Sequence, residues 1–275
     1  MALELKILFT LAEVEIEKWL DDGVVCLREV FNLKWLKILE RGFQESVKTP
    51  SALSKDYAKD KKGSFYTDHA MHRRIEPINK FVRNSPVGVL AASLMSASKI
   101  NLVDDHLLLK EPGTQNPTYW HQDQPYFNFD GEDFCSLWIP LDAVDKNNGA
   151  MRFVKGSHKW GKQFHPIRIG TGDMVDSAED FDGAAPDIDS NLEEYDVISW
   201  NLLPGDCLAF HGKMVHGAYA NMSLDKRRRA LSVRLTGDDI VWAPKSYAPT
   251  ESNLPNLIPG KSIDCSDYPV LWRDS

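Results

Sequence analysis

No stretch of this 275-residue chain is apolar for long enough to span a bilayer. The opening residues, Met1-Ala2-Leu3-Glu4-Leu5-Lys6, bring in acid early, and no small-residue cleavage site follows. The expectation is therefore a protein without a secretory signal or a membrane partner, working in a reducing cytoplasm. Cysteine is scarce. Cys26, Cys135, Cys207 and Cys265 lie far apart with no C-x-x-C pair, which excludes a zinc ribbon and a disulfide framework. Three of the four sit in apolar surroundings and are expected to be buried thiols. Basic charge is short as well. The net charge is −8 and no basic patch dominates, so nucleic acid is not an expected partner. The one basic run, Lys226-Arg227-Arg228-Arg229, reads as a solvated strand end, with the reservation that one of its arginines has another job. Internal repeats and low-complexity tracts are absent too, which excludes a solenoid.

What remains is an ordinary globular chain. Its length and 43% hydrophobic content suit one sizeable domain with its own core. Residues 1–99 read mostly helical. The apolar spacing predicts a helix over Leu11–Leu20 that stops before Asp21-Asp22-Gly23, then a short strand, Val24–Leu27. A second helix, Leu33–Val47, is capped by Asn32, and two more run over Ile75–Arg83 and Val87–Met95. Between about residues 100 and 240 the texture changes. Short apolar runs, Asp105–Lys110, Cys135–Leu141, Ala150–Val154, Asp196–Trp200, Cys207–Phe210, Met214–Ala218 and Arg229–Thr236, alternate with Gly, Pro and Asn turns, the pattern of a β-sandwich or barrel. Residues 241–275 form a C-terminal extension.

One segment is lopsided. From Asp173 to Asp196 there are ten acids and no Lys or Arg, so removing it would take the net charge from −8 to +2. It reads as a solvated excursion between strands, or as a lid near a site mouth, where its charge would attract a cationic substrate group.

The chemistry concentrates in Trp120-His121-Gln122-Asp123-Gln124-Pro125-Tyr126-Phe127. Residues two apart on an extended strand point the same way, so His121 and Asp123 can address one metal ion. A His-X-Asp pair alone is weak evidence in a chain with eight histidines. A remote second histidine would complete the two-histidine, one-carboxylate facial triad that holds non-haem Fe(II) and leaves one face open. The residues by themselves leave His211 and His216 both open as that third ligand. His69 and His72 have helix-compatible metal spacing beside Asp68 but no third ligand of known context. They read as a surface segment bordering the site.

The order of several motifs goes further. His121-Gln122-Asp123-Gln124-Pro125-Tyr126-Phe127-Asn128-Phe129 is followed by Trp138, by Asn147-Asn148-Gly149-Ala150-Met151 and by Gly156-Ser157-His158-Lys159. Then come Gly205-Asp206, His216-Gly217, Asn221, Ser223 and Arg228-Arg229-Ala230-Leu231. This series, covering most of residues 100–236, resembles the phytanoyl-CoA dioxygenase family of Fe(II)/2-oxoglutarate oxygenases. The resemblance implies a mainly β fold: a double-stranded β-helix, the cupin-like jelly roll, with N-terminal helices packed outside one sheet. It favours His216 over His211, so the implied iron ligands are His121, Asp123 and His216. 2-Oxoglutarate is the implied co-substrate and O2 the oxidant. A 2-oxo acid and O2 can fill the three open positions, and the distal carboxylate then calls for a cation, best a guanidinium. The resemblance points to Arg228, twelve residues after His216 and one more than close relatives would have. Arg227 and Arg229 are its neighbours, and Arg234 is a second arginine on the same strand face.

Trp138 and Leu108 match positions lining the co-substrate, and His106, on the same face as Leu108, is placed to donate a hydrogen bond into the site. Lys110 marks the strand end, and His158 belongs to a structural turn. Tyr126 and Phe127 are candidates for the substrate pocket, with core packing as the plainer reading. One departure is visible: where the family often has a serine two residues after the distal histidine, this chain has Ala218. The expectation is a small-molecule hydroxylase that releases succinate and CO2, since the carboxylate ligand that related halogenases lack is present. Desaturation or ring formation would use the same ligands. A non-redox metal-binding jelly roll, an isomerase or a ligand binder, would need the triad but not the arginine.

Overall fold

Gly23, at φ +76°, ends the first helix, α1 (Glu13–Asp22), and its N–H bonds Trp19 O at 3.1 Å. The helix runs two residues past the expected stop because the left-handed glycine, not the aspartates, terminates it. The computed structural model describes residues 11–58, 63–176, 181–245 and 257–274. The strand β1 (Val24–Leu27) follows. Then comes α2 (Leu33–Lys48), where Asn32 accepts the N–H groups of Lys34 and Trp35 as a cap. The short strands β2 (Lys55–Asp56) and β3 (Phe65–His69) precede α3 (Glu76–Asn84) and α4 (Val87–Met95).

The chain then turns to strands. β4 (Lys99–Lys110), β5 (Thr118–His121), β6 (Phe129–Asp130), β7 (Phe134–Pro140) and β8 (Met151–Val154) come first. β9 (Val197–Ile198), β10 (Cys207–His211), β11 (His216–Ala218), β12 (Arg228–Thr236), β13 (Val241–Trp242) and β14 (Val270–Arg273) complete the series. They form a large antiparallel sheet in the order β1-β10-β7-β12-β4-β3-β2, with β14 also paired to β4, a small sheet, β5-β11-β8-β9, and a two-stranded sheet of β13 and β6. Neighbours distant in sequence dominate the first two sheets, as in a jelly roll.

Strand alternation sorts the side chains into two layers. Leu107, Leu109, Leu137, Ile139, Leu231 and Val233 face the helices and pack on Leu39, Phe43, Ile78, Phe81 and Leu90. Leu108, Trp138, Leu208, Phe210 and Ala230 face inward, toward Met151, Phe153 and Ala218 of the small sheet. This inner layer carries the site. Its polar members are unusual for a core: Lys110, Ser136 and Arg228 are all essentially unexposed. Of the four cysteines, two rather than three are fully buried, Cys135 and Cys207, with Cys26 and Cys265 half-buried.

The described part of the acidic stretch lies on the outer face of the small sheet. Ile188 is fully buried there among Trp120, Val154, Phe164 and Val215, and Asp189 pairs with Arg152. Trp120 is adjacent to His121 on β5 and so points away from the ligand side.

Candidate active site

β5 and β11 are antiparallel neighbours with His216 opposite His121 in register. The pairing puts the two imidazole rings 4.2 Å apart between centroids. Asp123 follows two residues after His121, where the strand has just ended. Its Oδ1 lies 3.8 Å from His121 Nε2 and 3.9 Å from His216 Nε2. These three are the group among the described residues that could hold a metal ion, with ligand atoms all within 4.8 Å of one another. His211, the alternative in sequence, packs instead against Trp19 and His158.

The surroundings prepare each donor. His121 Nδ1 meets Tyr119 O at 2.7 Å, and His216 Nδ1 meets Met214 O at 2.9 Å. Each Nδ1 must therefore carry the proton, which leaves each Nε2 with its lone pair toward Asp123. Burial, then the neighbouring His216, pushes His121 down to about 3, and burial also lowers His216. Both rings are neutral at physiological pH. Burial would raise the carboxyl of Asp123, but the charge and hydrogen bond of Arg234, together with His216 and His121, outweigh it and hold the group below the usual carboxylate range. Arg234 grips that carboxylate twice, Nη2 to Oδ1 at 3.1 Å and Nε to Oδ2 at 3.2 Å, and Ser136 Oγ donates to Oδ2 at 2.6 Å. Oδ1 retains a lone pair for a metal ion. Two neutral imidazoles and an ionised, oriented carboxylate fit a divalent ion.

The arginines separate cleanly. Arg227 is exposed. Arg229 faces the helices, where Asp142 and Glu40 neutralise it. Arg234 is occupied by Asp123 and Asp104. Arg228 is buried and has no carboxylate partner among the described residues. Its guanidinium lies 5.6 Å from the Trp138 ring, and its best contact is a long one, Nη1 to Leu108 O at 3.5 Å. Burial lowers its pKa only to about 10, so it stays charged. Arg228 Nε, Trp138 Nε1 and His106 Nε2 are all buried without a hydrogen-bond partner among the described residues. Ala218 and Ala230 belong to the same cluster as Leu108 and Trp138.

Other expectations meet mixed outcomes. His106 stacks on His69 at 3.8 Å, and its Nδ1 lies 3.4 Å from Arg234 Nη2. His69 is thus a half-exposed neighbour of the site, bonded to Asp104 at 2.9 Å. His72 is not a surface residue: it is buried and bonded to Asp105, which also accepts its backbone N–H. Tyr126 meets His121 edge-on at 5.9 Å, while its hydroxyl donates to Ile167 O at 2.6 Å and accepts Ile167 N–H at 2.9 Å. Phe127 stacks on Phe129 at 5.4 Å. His158 bonds Leu20 O at the end of α1, as a structural turn residue would. Two residues were not foreseen. Ser136 was findable, since alternation places it on the face of Trp138. Lys110 does end β4, but its side chain is wholly buried, not solvated.

Known proteins resemble this chain in sequence and in fold. The model of the family described as phytanoyl-CoA dioxygenase (PhyH) matches residues 19–230. A phytanoyl-CoA dioxygenase of Arabidopsis thaliana is 29% identical over 181 residues, covering 65% of this chain and 59% of that protein. A probable alpha-ketoglutarate-dependent hypophosphite dioxygenase of Stutzerimonas stutzeri is 28% identical over 159 residues, covering 57% of this chain and 52% of the other. The chain thus spans about three-fifths of the length of the first curated relatives it matches, 59% and 60%. Among solved structures, the non-heme alpha-ketoglutarate-dependent epimerase SnoN from nogalamycin biosynthesis superposes with a TM-score of 0.73 at 19% identity. The alignment covers 94% of this chain and 98% of that one. The carbocyclase SnoK from the same biosynthesis gives 0.74 at 19% identity, with 95% and 96% covered. At that identity the likeness establishes the fold, the jelly roll with its flanking helices. The sequence match starts within α1, ends within β12 and takes in the three convergent ligands and Arg228, and on that extent the chain belongs to the phytanoyl-CoA dioxygenase family.

Proposed function

We propose that this protein is an Fe(II)/2-oxoglutarate-dependent oxygenase of a small-molecule substrate, with iron on His121, Asp123 and His216. The observation that carries the reading is the pairing of a convergent, buried ligand set with a buried arginine that forms no ion pair among the described residues. A metal site without 2-oxo acid chemistry has no use for Arg228, and an unpaired buried charge costs several kcal/mol. When bound, iron and 2-oxoglutarate would supply the oxidising power of the reaction, with succinate and CO2 as by-products.

The chain's own residues do the positioning. The carbonyls of Tyr119 and Met214 fix the imidazole tautomers, and Ser136 and Arg234 fix the Asp123 carboxylate. Arg228 offers its guanidinium to the distal carboxylate of the co-substrate. Trp138 Nε1 and His106 Nε2 are unused donors on the same inner layer, and Leu108, Trp138 and Ala230 supply an apolar wall that strengthens each polar contact. Tyr126 and Phe127, next to the ligand pair, are the residues we assign to the substrate side.

Hydroxylation is the favoured outcome. The second reading, ring formation or another oxidative rearrangement on the same ligands, is favoured by one observation. Two solved structures that cover 94% and 95% of this chain are described as an epimerase and a carbocyclase. Anaerobic titration with Fe(II) and 2-oxoglutarate tests the assignment: a visible metal-to-ligand charge-transfer band is expected, and absence of both band and Fe(II) affinity refutes it. Arg228→Ala should abolish 2-oxoglutarate binding. Unchanged binding would favour a non-redox metal site. Incorporation of 18O into product then separates hydroxylation from ring formation.

A further inference from the structure

Lys110 is the most anomalous side chain in the protein. It is fully buried, with no exposed atom through which to reach water. No carboxylate accompanies it among the described residues. Its Nζ donates one hydrogen bond, to Tyr219 O at 3.0 Å, and lies 4.6 Å from the Phe65 ring centroid. An ammonium has three donors, so two have no acceptor among the described residues. The ring contact is worth about 2 kcal/mol at best, well short of the several kcal/mol that burying an ammonium costs.

Its neighbour makes the anomaly worse. Lys110 on β4 is the register partner of Arg228 on β12. Two unneutralised cations therefore sit side by side on one inner face, each raising the cost of the other. Gly149, at φ +104°, lies against the pair: a Cβ there would crowd only Tyr219 O, at 3.1 Å, and would make ordinary contacts with Arg228 Nε at 3.5 Å and Lys110 Cδ at 3.6 Å. The Asn147-Asn148-Gly149 turn thus packs against both side chains. The acceptor of the lysine's bond is equally telling. Tyr219 directly follows Ala218, which stands where the family often has a serine. The ammonium is anchored one residue from the missing hydroxyl.

We propose that Lys110 is a second cation of the co-substrate subsite, binding the distal carboxylate together with Arg228 in place of a hydroxyl at position 218. This rests on the Fe(II)/2-oxoglutarate reading. The site then selects 2-oxo acids with a second carboxylate, because a monocarboxylate leaves both cations buried and unpaired.

The test compares wild type, Lys110→Met and Lys110→Gln, loaded with Fe(II) under anaerobic conditions. Each is titrated calorimetrically with 2-oxoglutarate and with 2-oxobutyrate, which lacks the distal carboxylate. Lys110→Gln keeps an amide donor for Tyr219 O and loses only the charge. Both variants should weaken 2-oxoglutarate binding about tenfold to a hundredfold, the worth of a charge-assisted hydrogen bond, and change 2-oxobutyrate binding less than about twofold. Unchanged 2-oxoglutarate affinity, full affinity in Lys110→Gln, or equal losses for both acids would make Lys110 a structural residue and overturn the proposal. Failure of wild type to bind either acid would instead overturn the oxygenase reading itself.

Discussion

Replacing Arg234 by leucine removes the group that holds Asp123 in place before any metal arrives. Two hydrogen bonds, at 3.1 and 3.2 Å, join the guanidinium to a carboxylate whose side chain is 3% exposed. Breaking one side of such a buried pair costs about 3–5 kcal/mol, chiefly because the remaining charge is stranded. Ser136 still donates to Oδ2, so the lower half of that range is expected. A bound divalent cation changes the balance in two opposing ways. Losing an oriented carboxylate typically weakens metal affinity 10- to 100-fold, about 1.4–2.7 kcal/mol. The metal, however, supplies the positive charge that the variant lacks, which recovers much of the larger stranded-charge cost. The net expectation is that metal rescues the variant. Urea denaturation of wild type and Arg234→Leu, each with chelator and with saturating Co(II), measures both numbers. A loss below about 1 kcal/mol in chelator, or an equal loss with and without Co(II), would refute this account of the pair.

Neighbouring arginines should behave oppositely. Arg229→Ala, which unties Asp142 and Glu40, should cost about 2–3 kcal/mol in denaturant titrations, between exposed and buried pairs, and leave 2-oxoglutarate binding intact. Arg228→Ala should lose that binding without loss of stability, since it removes an unpaired buried cation. A stability loss with intact binding would contradict this. Gly149→Ala, strained at φ +104° and crowding Tyr219 O, should cost about 1–3 kcal/mol, visible as a lowered Tm; an unchanged Tm would show that the turn relaxes freely. Acid should destabilise the metal-free protein through its buried histidines. Burial depresses His106, His121, His211 and His216 in the folded state, so their contribution is complete above the unfolded value near 6.5 and declines as pH falls below it. One such histidine costs about 2 kcal/mol by pH 5. Stability that stays flat from pH 7.5 to 5 would show these rings to be protonated in the fold.

Helix starts, strand cores and the convergent ligands were legible in the sequence because each has a local signal. Asn32 announces a cap, and the alternation through Leu231, Val233 and Leu235 announces a half-buried strand. The motif order placed His216 ahead of His211, and the structure brings His216 to His121. Features that depend on distant partners were not legible. β4 begins at Lys99, six residues before the apolar run, because Asn101 Nδ2 donates to Tyr268 O and Asp104 and Asp105 pair with His69 and His72. Nothing near Arg229 reveals that Glu40 on α2 will neutralise it. Nothing near Arg234 reveals that Asp123 will. A lysine after Leu107-Leu108-Leu109 reads as the edge of a strand, and only the pairing of β4 with β12 puts it in the interior. The acidic segment, equally, needed a third dimension. Ile188 and the Arg152–Asp189 pair tie its described part to the outer face of the small sheet.

A Lys110 that binds the co-substrate would also link it to protons. Burial, and then the charges of Arg228 and Arg152, hold its ammonium well below the ordinary lysine value while no anion is near. Phe65 and Tyr219, the other groups against it, contribute a ring face and a carbonyl but no counter-charge. An arriving dicarboxylate reverses the penalty and draws the pKa back up. Between the depressed and the restored value, each molecule bound takes up part of a proton, and affinity falls with rising pH by at most about tenfold per unit. Binding heats measured in buffers of different ionisation enthalpy would then differ in proportion to that uptake. A residue kept to recognise charge would, in this way, make the supply of co-substrate and the acidity of the surroundings act on the enzyme through the same atom.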